Sequence, residues 1–306
     1  MRPLDRLLRA ALEGRPYSVK TSPIVELTSL HTGGGATHIL YHLIAIAILP
    51  RDFGGRQTCV ILFDVDGHFD VERLVVLLRH LLTARNTSEE PASNVDDTVL
   101  LALRHVHVFR PQSLATLTAT LSSLSSYLFD QSRHFSFDRQ VGFIAIDSAS
   151  AFNWQDRAET EDAAFYAKTS GEPAGAAPQS GYVALAAALK SSCATLQCPA
   201  AFTSWHLGPI SATPHSTRAF RPSLSAPFSG LPTLRLACQR IPVKKFPPMI
   251  SVESAQREAR DRLKAVEEGK FECFVNEWGV DERSLRRLQS AGGGFEFKIL
   301  EDGADF

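Results

Sequence analysis

Apolar residues recur along the chain with two periods, and the alternation between them outlines the fold. Residues 4–13 place Leu4, Leu7, Leu8, Ala11 and Leu12 at helical spacing. This predicts a short amphipathic helix that Gly14 and Pro16 end. A strand at 24–28 is followed by Gly33-Gly34-Gly35 and an apolar helical run over 37–49. Residues 58–65 (TCVILFDV) form a continuous apolar run with β-branched residues, the pattern of a strand buried on both faces. Asp66-Gly67-His68 makes a turn. Asp70 caps a helix whose Val71, Leu74, Val75, Leu78, Leu81 and Leu82 follow the 3.6 period. A polar loop at 86–97, a strand at 105–109, a helix at 114–129 and a buried strand at 141–146 (VGFIAI) follow, the last ending at Asp147.

The second half is less regular. Residues 156–180 read as a mobile loop, acidic from Glu159 and then rich in Ala, Gly and Pro. A helix at 183–196 and a strand at 199–204 precede a long Pro- and Ser-rich loop at 208–232. Strands at 234–241 and 271–275 bracket a charged helical insert at 252–268, which carries a narrow stripe of Val252, Ala255, Ala259, Leu263 and Val266. A strand at 295–300 comes last. Alternating strands and helices, then strands without helices, predict an α/β fold: a mostly parallel central sheet flanked by helices, with an antiparallel C-terminal extension. Residues 1–20 are expected to be an N-terminal helix and linker, and 21–306 one domain. The exposed-looking stripe of the first helix makes it a candidate docking element; packing on its own core is the other reading.

Composition narrows the class without changing this outline. Hydrophobic residues are 44% and charged residues 21% of 306, which argues against wholesale disorder. The formal charge of -1 excludes a globally basic DNA-coating protein, though not a local basic patch. No apolar run approaches a bilayer span, and the N-terminus has no signal-peptide pattern, so an intracellular protein is expected. Five cysteines at scattered spacings give no disulfide framework.

Candidate chemistry gathers at the carboxyl ends of the strands, where open α/β sheets bind ligands. The glycine loop follows the first strand, Asp66 the second and Asp147 the fourth. This is the layout of a P-loop nucleotide site, whose pattern is G-x-x-x-x-G-K-[ST]. Over residues 30–37 (LHTGGGAT), Leu30 stands at the first glycine, Gly35 at the second, Ala36 at the lysine and Thr37 at the Ser/Thr. Gly33, Gly34 and Gly35 can form a nest of N–H groups opening onto a helix N-terminus, which attracts phosphate. Thr37 and Asp147 are the candidate Mg²⁺ ligands, and Asp66 is placed to orient an attacking water. Ala36 cannot supply the ammonium that balances charge at the β- and γ-phosphates. His38 is the nearest substitute cation. Each feature also has a plain reading: three glycines make tight strand-to-helix connections, and Asp66 and Asp147 make turns and caps.

Three runs add a family likeness. LYHLIAIAILP (40–50), FDVDGHFDVERL (63–74) and IDSASAFNWQDR (146–157) resemble the RecA-type recombinase paralogues of eukaryotes. The likeness starts near LDRLLRAALEGR and extends, more loosely, to the last strand. As in that family, the chain is expected to leave no room before the core for a helical DNA-binding domain. The resemblance implies a RecA-like P-loop ATPase core, a role in homologous recombination and double-strand break repair, assembly with other recombinase paralogues, contact with DNA through that complex, and nuclear location. It implies that Gly35, Thr37 and Asp147 occupy Walker positions and Asp66 the catalytic carboxylate's. Leu30, Ala36 and Ser204-Trp205 depart from the family pattern, the last where recombinases present a polar nucleotide sensor. Weak binding of ATP or ADP with Mg²⁺, and weak or absent hydrolysis, are therefore expected. An active DNA-dependent ATPase of the same family and an unrelated α/β enzyme using the loop for another phosphate ligand are the alternatives.

The remaining signals have bland readings beside functional ones. His105-x-His107 reads as surface more readily than as a metal chelate, and Cys193-x₄-Cys198 has no second pair for zinc. No haem ligand set is indicated. Arg283, Arg286, Arg287 and Lys298 form either a DNA-backbone patch or a solvated face. Trp154 and Trp205 can stack on bases or pack. VKKFPP (243–248) is basic and aromatic but short.

Overall fold

In the computed structural model the described residues are 2–13, 22–85, 92–169, 179–208, 218–241, 243, 246–247 and 249–306. Their strands are β1 (Ile24–Ser29), β2 (Cys59–Asp64), β3 (Val106–Phe109), β4 (Val141–Asp147), β5 (Ala200–Trp205), β6 (Leu234–Arg240), β7 (Lys270–Val275), β8 (Gly294–Leu300) and β9 (Gly303–Asp305). They join in one sheet of order β3-β2-β4-β5-β1-β6-β7-β8-β9. Pairing is parallel from β3 through β6 and antiparallel from there to β9. The predicted α/β architecture, mostly parallel with an antiparallel extension, is therefore what the chain adopts.

Helices α1 (Arg2–Leu12), α2 (Ala36–Ile48), α3 (Val71–Arg85), α4 (Ala92–Leu103), α5 (Leu114–Leu128), α6 (Asn153–Thr169), α7 (Gly181–Leu196), α8 (Val252–Glu267) and α9 (Glu282–Ser290) accompany the sheet. The side-chain alternation of each strand divides its apolar residues between two cores. Leu27, Val60, Leu62, Ala145 and Leu236 meet α1, α2 and α3 on one face. Ile61, Phe63, Ile144, Ile146 and Phe202 meet α5 and α7 on the other. Among the described residues no helix is long and apolar enough to cross a membrane.

Several expected loops are corrected. The predicted 86–97 loop falls partly outside the described residues, but from Ala92 it is helix α4. Val95, Val99, Ala102 and Leu103 pack on the core at helical spacing, and that stripe straddles the end of the polar segment. Of the predicted 156–180 loop, residues 170–178 lie outside the described residues, and the part before them is helical through Thr169. Ala-rich, helix-favouring composition and the exposed pairs Gln155–Glu159 and Arg157–Glu161 support it. Of the expected 208–232 loop, residues 209–217 lie outside the described residues, and 218–232 are irregular with one 3₁₀ turn at Phe228–Gly230 that buries Phe228. The linker 14–21 lies outside the described residues. In α8 the predicted stripe is exposed at Val252, Leu263 and Val266 rather than packed. β9 was not foreseen, because three residues carry no readable alternation.

The N-terminal helix is also corrected. Leu4, Leu7 and Ala10 are buried in the main core, and α1 packs against α9, β8 and β6. Its apolar stripe already has a partner in its own chain, so it is not a free docking element. Leu7→Glu places a carboxylate at a fully buried position and is expected to lower stability by at least ~3 kcal/mol, read as a lower urea midpoint. Leu8, half-buried, is expected to cost much less on the same substitution.

Candidate functional site

The glycine loop joins β1 to α2 at the carboxyl edge of the parallel sheet. Gly33 (φ +71°) and Gly35 (φ +91°) adopt left-handed backbone that a side chain would strain. Gly34 is required for closeness instead: a Cβ there would stand 2.8 Å from the Cys238 carbonyl oxygen. Its N–H donates to the His31 carbonyl at 3.0 Å, so the loop is wound on itself. Gly35 precedes α2, and the first N–H groups of that helix have no intrahelical acceptor. A Cβ on Gly35 would strike Phe297 at 2.9 Å and Phe271 at 3.1 Å, so the antiparallel extension packs against the loop. Ala36, at the lysine position, is buried in the same core as those two rings.

Asp147 ends β4 and Thr37 sits in the first turn of α2. The Thr37 hydroxyl donates to Asp147 Oδ1 at 3.3 Å. Strand β5 lies between β4 and β1, which lets the Thr203 hydroxyl donate to the same oxygen. Burial raises the Asp147 carboxyl to about 6, with the Asp66 and Asp64 carboxylates adding to it and the two threonine bonds opposing it. Asp64 stands directly opposite Asp147 in the β2–β4 register. Its oxygens are engaged by the Phe69 N–H at 3.1 Å and Arg110 Nε at 2.9 Å. Asp66, one turn further on, keeps a quarter of its side chain exposed and lies 3.4 Å from His68 Nδ1.

Three carboxylates thus converge beside a helix N-terminus. Thr37 and Asp147 meet as a hydroxyl and a carboxylate of the hard-oxygen kind that Mg²⁺ takes. The phosphate side fits less well. Burial, then Arg73, lowers His38 to about 4, so it is neutral near pH 7 and does not replace the lysine. Sequence reasoning singled out Asp66 and Asp147 and missed Asp64 and Thr203. The Asp-x-Asp spacing of residues 64–66 is the available signal for Asp64; Thr203 stays hidden because the family's sensor position aligns with Ser204-Trp205, one residue later. Ser204 instead bonds Thr28 and Glu26, and Trp205 is half exposed.

The other candidates take their plain readings or a third one. His105 and His107 are buried, not surface: both bond the Ser136 hydroxyl at 2.9 Å, and His107 also bonds Tyr127. Burial lowers each to about 4. Arg283 and Arg286 lie on the solvated face of α9, Arg286 paired with Glu282, whereas Arg287 is half-buried: it donates to the Ser284 hydroxyl at 2.7 Å and its Nε is shut off from solvent. Trp154 is exposed, with Arg157 5.9 Å above its ring. Cys193 and Cys198 are buried free thiols. Of VKKFPP, Lys244, Lys245 and Pro248 lie outside the described residues, and Phe246 stacks under Arg262 at 3.8 Å.

No family model matches the chain. It is 36% identical over 162 residues to the DNA repair protein XRCC2 of Mus musculus, an alignment that covers 49% of this chain and 52% of that protein. It is 30% identical over 166 residues to the DNA repair protein XRCC2 homolog of Arabidopsis thaliana, covering 45% of this chain and 43% of that one. The chain spans about half the length of the curated relatives it matches. The resemblance to RecA-like recombinase paralogues that the three runs carry is upheld, and the sheet is consistent with a RecA-like core.

Proposed function

We propose that this chain is an adaptor among RecA-like recombinase paralogues in homologous recombination and DNA double-strand break repair, acting in the nucleus and on DNA mainly through that complex. The observation that carries the reading is Ala36: in a chain similar to DNA repair proteins, the lysine position of the phosphate loop holds a buried methyl group. Phosphoryl transfer depends on electrostatic stabilisation of the phosphates, and the first turn of α2 supplies no cation. Gly33, Gly34, Gly35 and Thr37 remain able to hold ADP or ATP weakly, with Mg²⁺ on Thr37 and Asp147 and Asp66 facing the reacting end. Bound Mg²⁺ would supply the positive charge that the side chains lack. The same loss of charge disfavours an active ATPase, and the similarity to repair proteins disfavours an unrelated phosphate-ligand enzyme.

Affinity purification from nuclei of cells making the full chain tests this. A RecA-like paralogue is expected to be recovered to the same yield with and without Mg-ATP, and ATP turnover is expected at background and unchanged in Asp147→Ala. Failure to recover any recombination factor overturns the adaptor reading. Turnover that Asp147→Ala abolishes overturns the degenerate site.

A further inference from the structure

Cys238 on β6 and Cys273 on β7 face each other with their Sγ atoms 3.4 Å apart. Backbone bonds fix the kind of position they occupy. The Asn276 N–H donates to Arg235 and the Ile241 N–H to Lys270, so those opposed residues form hydrogen-bonded pairs. Moving inward by two along the register makes 237 with 274 and 239 with 272 the same kind. Cys238 with Cys273 therefore falls on a non-hydrogen-bonded pair, where opposed Cα atoms approach to about 4.5 Å. That separation is within the span a disulfide bridges.

The pair also lies beneath the glycine loop. The Cys238 carbonyl accepts the Leu30 N–H at 3.0 Å and forms the floor that excludes a side chain at Gly34. Two residues before Cys273, Phe271 packs under Gly35. We infer that Cys238 and Cys273 are a redox modification site, closing to a reversible disulfide that fastens the antiparallel extension to the parallel sheet under the loop.

The oxidant is a low-molecular-weight disulfide such as oxidised glutathione. One protein thiolate attacks it and releases one glutathione; the second attacks the mixed disulfide and releases the other. The two protein thiols lose two protons and two electrons, and the oxidant becomes two thiols. Both cysteines are buried, and burial pushes the Cys273 thiol well up, so thiolate is scarce while the sheet is closed. Reaction therefore waits for local opening of β7, β8 and β9, the strands at that edge of the sheet.

The test incubates the full chain with oxidised glutathione, with and without mild urea, then alkylates free thiols and maps peptides by mass spectrometry. A Cys238–Cys273 crosslink is expected, forming faster in urea. It should raise Tm by about 5 °C and be reversed by dithiothreitol. Amide exchange over residues 30–37 is expected to slow in the oxidised form. Cys238→Ser and, separately, Cys273→Ser should each lose the crosslink and the Tm shift. No crosslink in either condition, glutathione adducts alone, or a crosslink that lowers Tm overturns the inference.

Discussion

Arg235→Ala is expected to destabilise the fold by about 3–5 kcal/mol, the usual consequence of removing one partner of a buried ion pair. Arg235 on β6 donates from Nε to Glu26 Oε2 at 2.8 Å, and the Glu26 side chain is only 5% exposed. The other Glu26 oxygen accepts the Ser204 hydroxyl at 2.8 Å, and Ser204 in turn shares a bond with Thr28. The cluster ties β6, β1 and β5 together just before the glycine loop. Without Arg235 the carboxylate stays in low dielectric with a single hydroxyl to offset its lost hydration. The double variant Glu26→Gln with Arg235→Met, which removes both charges, should recover most of the loss. Urea unfolding of the three proteins decides the matter; a loss under ~1 kcal/mol for Arg235→Ala means that water reaches Glu26.

That cluster also marks where sequence reading stopped. Runs such as TCVILFDV and VGFIAID announce buried parallel strands, because both of their faces are apolar. Glu26 and Arg235 break the apolar pattern of their strands, and their partnership depends on β6 lying beside β1, a neighbour 209 residues away. The same holds in the site. Gly33, Gly35 and Thr37 are legible as a candidate phosphate loop because such loops are local in sequence. Thr203 acquires its role only because β5 is inserted between β4 and β1. Helix α4 was missed for another reason: its first turns are polar, and its stripe emerges only when 95–103 is read as one segment. His105 and His107 read as surface because nothing local shows that Tyr127 and Ser136 cover them.

Asp147→Asn is expected to stabilise the protein at pH 7 by about 3 kcal/mol and to flatten its stability between pH 4 and 6. The Asp147 carboxyl is raised to about 6 in the fold, whereas in the unfolded chain it titrates near its ordinary value of 3.8. Between those values the folded state holds a proton that the unfolded state has released. Folding is then favoured by acid, and the contribution declines as pH rises through the window, by ~3 kcal/mol in total. Asparagine is nearly isosteric and neutral throughout, and its carbonyl can still accept from Thr37 and Thr203. Parent and variant should converge near pH 4, draw apart between pH 4 and 6, and stay a constant distance apart above that. The difference between their urea midpoints removes the titration of other carboxylates, which both proteins share. Coincident profiles from pH 4 to 7 would mean that Asp147 ionises normally and that Asp64 and Asp66 exert little force on it. The direction bears on function: a carboxylate left costly at neutral pH is one that a divalent cation relieves. Millimolar Mg²⁺ should therefore raise the parent's Tm at pH 7 more than the variant's, and an equal response in the two would place the ion elsewhere.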